Sequence, residues 1–334
     1  MSGDTILSVD GLCVEFATNH GWVTVVDDIA FDLRRGETLA IVGESGSGKS
    51  VSSLAAMRLL PASGRIASGT VELDGTDLVQ LSNRAMEAVR GDRIAMVFQE
   101  PMTSLNPAFR VGDQIAEVVR RHRGVSKGDA KKRAVEVLDL VGIPKAEQRS
   151  RDYPHEFSGG MRQRVMIAMA LACDPDVVIA DEPTTALDVT IQAQVLDLLR
   201  TMRDQLGMGL LFITHDLGVV ADIADRVMVM YGGQRVETGT VDAIFESPQH
   251  PYTEGLLRSM PSSEARGGQL ASIPGQPPAP WNLPPGCRFA PRCPYAIDRC
   301  RESPPPLVGL GGDGLSEHAV RCVRVDELQL RGVH

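Results

Sequence analysis

Eight residues, Gly43–Ser50, read GESGSGKS and fit the pattern G-x-x-x-x-G-K-[ST]. Gly43, Gly46 and Gly48, with Glu44, Ser45 and Ser47 between them, let backbone N–H groups turn inward around a phosphate without Cβ clashes. A helix starting at the end of the loop adds the positive end of its dipole. Lys49 is placed to reach the β- and γ-phosphates of a nucleotide, and the Ser50 hydroxyl to ligate Mg²⁺. At average composition a chain of this length matches the pattern by accident on the order of one time in a hundred. The loop therefore predicts a nucleotide site.

A second group is the carboxylate pair closing Val177–Glu182 (VVIADE). Asp181, at the end of an expected strand, is placed to hold Mg²⁺ through water, and Glu182 to orient or deprotonate an attacking water. Such a pair after a strand is usually a solvated turn; downstream of a phosphate loop it reads as catalytic. The third group is sulfur. Gly286–Cys300 reads GCRFAPRCPYAIDRC, and Cys322 follows, so Cys287, Cys293, Cys300 and Cys322 are separated by five, six and twenty-one residues. Paired C-x₂-C knuckles, the strong zinc signal, are absent. Spacing alone leaves a metal or cluster site, two disulfides and four idle thiols open. Cys13 and Cys173 are isolated and are assigned to packing.

The elements that must position these groups alternate. Thr38–Val42, Ile94–Phe98, Val177–Asp181, Leu210–Thr214 and Val227–Tyr231 are short, continuously apolar runs, as strands buried on both faces of a sheet read. Helical patterns lie between them, at Ser50–Leu60, Met161–Ala172 and Ile191–Leu206, and Gly112–Val141 is a polar, periodic insertion. The alternation predicts an α/β fold with a mainly parallel sheet. The chain has 334 residues, 43% hydrophobic, 23% charged and 4% aromatic, enough for a sizeable aliphatic core. A net charge of −9 argues against nucleic acid as a partner. The apolar runs fall far short of the ~20 residues of a membrane helix, and Met1–Asp10 carries no secretory pattern. The expectation is a soluble, cytoplasmic protein, in which disulfides are disfavoured. Residues 1–260 form the expected main domain, with a helical part at about 100–165. Residues 261–285 form a Pro-rich linker (Pro274–Pro285 reads PGQPPAPWNLPP), and residues 286–334 a Cys-rich segment.

Phe157–Gln163 reads FSGGMRQ, twenty residues before the VVIAD strand, and resembles the signature motif of ABC-type ATPases. Read singly, Ser158–Gly160 is also a helix cap with its turn, Gln99 a surface residue and His215 a strand-end histidine. In order along the chain, however, Gln99 matches the family's Q-loop, Ala186–Asp188 its D-loop and His215 its switch histidine. The resemblance spans roughly Ile6 to Tyr252. It implies a P-loop NTPase core with a helical signature subdomain, working as a head-to-tail pair with two ATP molecules between the subunits. Ser158, Gly159, Gly160 and Asp188 would then face the partner's nucleotide, Glu182 would be the general base, and His215 would contact the γ-phosphate. Gln99 would sense Mg²⁺ and the lytic water. Phe16 lies at the distance expected of an adenine-stacking ring, with Trp22 as the alternative.

Gln99–Pro107 (QEPMTSLNP), Tyr153–Gln163 (YPHEFSGGMRQ), Asp181–Thr190 (DEPTTALDVT) and His250–Leu257 (HPYTEGLL) resemble the dipeptide and oligopeptide importer branch. Phe157 and Met161 depart from the commonest signature in the way that branch does. The resemblance implies an ATPase subunit at the cytoplasmic face of the membrane. It implies as partners a second, different ATPase subunit, two permease subunits contacted around Glu100–Met102, and indirectly a substrate-binding protein. Nickel, glutathione or another small solute is the alternative cargo; a soluble non-transport ATPase and a catalytically silent partner subunit are the alternative roles. The same branch carries a C-terminal tail whose four cysteines ligate a [4Fe–4S] cluster, so the resemblance assigns Cys287, Cys293, Cys300 and Cys322 to such a cluster, with Zn²⁺ as runner-up.

Overall fold

The structure, a computed structural model, describes residues 5–100, 104–185, 187–260, 272–310 and 318–333. Pro101 and Met102 of the Q-loop extension, Ala186, and the linker up to residue 271 lie outside the described residues. The strands are β1 (Thr5–Thr18), β2 (Gly21–Arg34), β3 (Thr38–Val42), β4 (Gly64–Leu73), β5 (Thr76–Asp77), β6 (Ile94–Val97), β7 (Val177–Asp181), β8 (Gly209–Thr214), β9 (Arg226–Tyr231), β10 (Gln234–Thr240), β11 (Val308–Gly309) and β12 (Ala319–Val320). The chain forms two compact units of interleaved segments. One takes residues up to Leu7, Leu33–Glu37 and Leu73–Ile213; the other takes Ser8–Asp32, Thr38–Glu72 and everything from Thr214 onward.

In the first unit, β6, β7 and β8 lie side by side and parallel, with Ile94 opposite Val177 and Val177 opposite Gly209. All of their residues are buried, which is why these runs read as continuously apolar in the sequence. The polar insertion is a pair of helices, Val111–Arg123 and Lys127–Leu140, broken at Gly124. Ile115 and Val119 on the first and Ala134, Val137 and Leu138 on the second supply the buried stripe at helical spacing. The signature helix, Gly159–Leu171, belongs to this unit and buries most of its residues from Gln163 onward.

In the second unit, β3 pairs parallel to β9, and β9, β10, β12 and β11 continue as an antiparallel edge. The sheet is thus parallel where the sequence predicts it and antiparallel at the C-terminal edge. Strands β1, β2 and β4 form a separate sheet, in the order β2-β1-β4.

The cysteine-bearing segment is not free-standing. Phe289 is buried in one apolar cluster with Tyr231, Tyr252, Val229 and Phe245, and Cys287 and Cys293 pack against it. Burying such a ring stabilises by roughly 1.5–3 kcal/mol. Strand β12 adds to β10 with Glu237 opposite Val320. A segment poor in large apolar residues therefore holds its shape by packing on the sheet and core of its own unit. From Ser272 to Pro285 the chain has neither helix nor strand, as its prolines dictate. Among the described residues no helix is long and apolar enough to cross a membrane.

Candidate nucleotide site

The phosphate loop leaves β3 at Val42 and ends in the helix Lys49–Ala56. Gly43 has φ +153°, and a Cβ there would lie 2.2 Å from the Met230 carbonyl oxygen, so only glycine fits. Lys49 is buried, and its ammonium donates to the carbonyls of Gly43 at 2.6 Å and Glu44 at 3.1 Å. Ser47 is buried too, and its Oγ finds no hydrogen-bond partner among the described residues. A buried lysine folded back on its own loop and an orphaned hydroxyl suit a cradle for phosphate oxygens, the chemistry that ATP with Mg²⁺ supplies. Ser50 opens the helix directly after Lys49.

Phe16 is half-buried and packs against Gly64, where a Cβ would meet its Cε1 at 3.0 Å. Trp22 is half-exposed and carries the Arg65 guanidinium 3.9 Å from its ring centroid, with Arg65 held in turn by Glu15. His215 follows β8 directly and is exposed.

In the first unit, Asp181 ends β7 and is buried. Glu182 follows with φ +47°, a left-handed backbone that is costly for a residue with a Cβ. Its N–H donates to the Ile213 carbonyl at 2.9 Å, and its Oε2 accepts from Gln99 Nε2 at 3.0 Å and Thr185 Oγ1 at 2.9 Å. Thus Gln99 and Glu182, 83 positions apart, meet. Thr185 is a partner that motif reasoning missed, although it stands inside the quoted DEPTT.

Ser158 caps the signature helix, its Oγ accepting from the Met161 N–H at 3.4 Å. Gly159 is exposed. A Cβ on Gly160 would lie 2.6 Å from Ile191 Cγ2, so glycine there also permits close packing on the helix Val189–Leu206. Asp188 caps that second helix through Ile191 N–H at 3.0 Å. Both ends carry the positive end of a helix dipole.

All four tail cysteines line one cavity, together with His250 and Phe289, and all are free thiols. Burial, reinforced by the neighbouring cysteines, pushes Cys293 and Cys322 up to about 11. The donor set is that of a thiolate metal site, but the four thiols are not drawn together into a metal-binding group in this structure. What the described residues show is four sulfur donors on one cavity. His250 is wholly enclosed, and burial lowers it to about 3. Its Nδ1 accepts from the Tyr252 backbone N–H at 3.1 Å, and its own backbone N–H donates to a carboxylate oxygen of buried Glu237 at 3.0 Å.

The family models match in two places: "ABC transporter" over residues 26–185 and "Oligopeptide/dipeptide transporter, C-terminal region" over residues 236–300. A putative peptide import ATP-binding protein of Brucella abortus (strain 2308) is 52% identical over 340 residues, covering 98% of this chain and 99% of that one. The oligopeptide transport ATP-binding protein OppD of Bacillus subtilis (strain 168) is 57% identical over 304 residues, 90% of this chain and 85% of that one. Among solved structures, the ATP-binding cassette MJ0796, in a dimeric post-hydrolysis state with ADP and Pi, matches with a TM-score of 0.64 at 25% identity. That match covers 71% of this chain and 99% of the other. With the phosphate loop, the Gln99–Glu182 contact and the tail packed on the sheet, these matches place the chain in the ABC transporter family, as an ATP-binding subunit of the oligopeptide/dipeptide branch.

Proposed function

We propose that this chain hydrolyses ATP to drive peptide uptake through a membrane importer, docked at the cytoplasmic face. The observation that carries the reading is the phosphate loop, with buried Lys49 turned onto loop carbonyls and Ser47 Oγ orphaned beside it. In this reading Gly43–Ser50 bind the phosphates, and Phe16, with Trp22 as the alternative, stacks on adenine. Ser50, Gln99 and Asp181 would hold Mg²⁺, which when bound neutralises phosphate charge as the γ-phosphoryl leaves. Glu182 takes the proton of the attacking water while Gln99 and Thr185 hold its carboxylate in one orientation, and His215 contacts the γ-phosphate. Residues 1–260 act as the ATPase domain, 261–285 as linker and 286–334 as the cysteine segment.

Ser158, Gly159, Gly160 and Asp188 serve the nucleotide of a second, different ATPase subunit, across a head-to-tail pair. Dimeric cassettes among the structural relatives support this. Two permease subunits supply the membrane path, and a binding protein delivers the cargo. Uptake competition between labelled dipeptides, nickel and glutathione, in cells with and without this chain, tests the cargo. Loss of peptide uptake alone is the expected result; loss of nickel or glutathione uptake alone would refute it.

Cys287, Cys293, Cys300 and Cys322 hold a [4Fe–4S] cluster in this reading, supported by four thiols on one cavity. The thiols must draw in and release their protons to bind it. About four iron and four sulfide per chain after anaerobic purification would support the cluster. One zinc per chain would replace it with a structural zinc site, and absence of any metal would overturn both.

A further inference from the structure

Glu44 of the phosphate loop is held by residues from much later in the chain, Tyr252 and Arg292. Arg292 clamps its carboxylate bidentately, Nη1 to Oε2 at 2.6 Å and Nη2 to Oε1 at 2.9 Å, across 248 positions. The Glu44 N–H donates to Tyr252 Oη at 2.8 Å. The Glu44 carbonyl is one of the two that hold Lys49.

Arg292 is itself fixed. Its side chain is 5% exposed, its Nε donates to the Pro274 carbonyl at 2.9 Å, and its Nη1 donates to Tyr231 Oη at 3.3 Å. The turn that presents Arg292 is closed by Arg292 N–H to Phe289 carbonyl at 2.9 Å and by Cys287 N–H to Cys300 carbonyl at 2.8 Å. An arginine donating through all three of its nitrogens, to a carboxylate, a phenol and a backbone carbonyl, is a geometric clamp as much as a charge.

The geometry points to Arg292 as a positioning residue for ATP binding, acting through Glu44. It touches no substrate atom; it holds the first turn of the phosphate loop in its open, phosphate-ready curve. When phosphate draws Lys49 off the Gly43 and Glu44 carbonyls, the Arg292–Glu44 pair and the Tyr252 hydroxyl keep that turn from collapsing into the space. The cysteine segment thereby becomes part of the nucleotide site's support, and its proper folding sets ATP affinity. This inference rests on the reading of Gly43–Ser50 as the ATP phosphate loop.

The test uses the full chain, with ATP titrated to give Kd, and the assembled importer for kcat and KM, in wild type, Glu44→Gln, Arg292→Lys and the double variant. Arg292→Lys keeps the buried charge but loses the bidentate fork. Arg292→Lys is expected to raise Kd and KM for ATP about tenfold, the scale of one charge-assisted hydrogen-bonded pair, with kcat within about twofold, and Glu44→Gln, in the loop itself, to raise both at least as much. The double variant is expected to be no worse than the weaker single, because both remove the same pair. Should Arg292→Lys disturb folding, Arg292→Gln, which keeps an amide donor toward Glu44 without the charge, takes its place, and Glu44→Gln is read only through the double variant. Unchanged Kd and KM in a folded Arg292 variant, or losses that multiply in the double variant, would overturn the inference while leaving the ATP-site reading intact. A wild-type chain that fails to bind ATP would overturn that reading instead.

Discussion

Gln99 Nε2 donates to Glu182 Oε2 at 3.0 Å, and Glu182 reaches that contact from a left-handed backbone, φ +47°. Strain at one residue and an amide from 83 positions earlier converge on a single carboxylate oxygen, with Thr185 Oγ1 as the second donor. Such convergence is how a general base is held in one rotamer. Replacing Gln99 with alanine should lower kcat about tenfold to a hundredfold, the cost of a loosened geometry, and leave KM for ATP nearly unchanged. Steady-state ATPase rates at saturating and limiting ATP separate the two; a rise in KM with kcat intact would contradict this role.

At Gly43 the conflict is steric. A Cβ placed 2.2 Å from the Met230 carbonyl oxygen cannot be relieved by a rotamer, because the obstacle is backbone. Gly43→Ala should therefore lose roughly 1–3 kcal/mol of stability, or about 2–4 °C in Tm per kcal/mol, together with ATP binding. Thermal melts with and without ATP measure both; an unchanged Tm would show that the loop can shift away from Met230.

His250 gives a pH signature. Its folded value, about 3, lies below the ordinary 6.5, because burial disfavours the charged ring. The unfolded chain then binds the extra proton, so His250 leaves stability intact above about pH 6.5 and erodes it as pH falls toward 3, by up to about 1.4 kcal/mol per pH unit. His250→Gln cannot charge, and its stability should fall less steeply between pH 6.5 and 4 than that of the wild type. Urea unfolding at several pH values tests it, and parallel curves would contradict it.

The cysteines make a fourth prediction. With Cys293 and Cys322 pushed up to about 11, both thiols are protonated at neutral pH, so metal binding by the apo chain must release protons. Loading with iron and sulfide, or with zinc, should strengthen as pH rises from 6 to 9, and Cys300→Ser should weaken it. Loading independent of pH would show that other groups hold the metal.

The central strands were legible because each is buried throughout: every residue of VVIAD and of TLAIV lies inside, so nothing polar interrupts the run. The long β2 was harder to read, because positions such as Ile29, Phe31 and Leu33 are buried in alternation, with Ala30 and Asp32 between them. The site's motif residues were legible from local spacing, which fixes what a short loop presents. Arg292 was not. It stands inside the quoted GCRFAPRC, but its partner Glu44 is 248 positions away, and no spacing rule pairs an arginine with a carboxylate over that distance. Thr185 was missed for a different reason: a threonine after a carboxylate pair has no chemistry of its own until the fold turns its hydroxyl onto Glu182.

The account stands most directly on Glu182 as the general base. ATP hydrolysis by the assembled importer, with and without peptide, should be compared for wild type and Glu182→Gln alongside nucleotide binding. The predicted result is a fall in kcat of about 10²–10⁴-fold with ATP still bound and the ATPase subunits held together. Hydrolysis at the wild-type rate in Glu182→Gln would contradict the assignment.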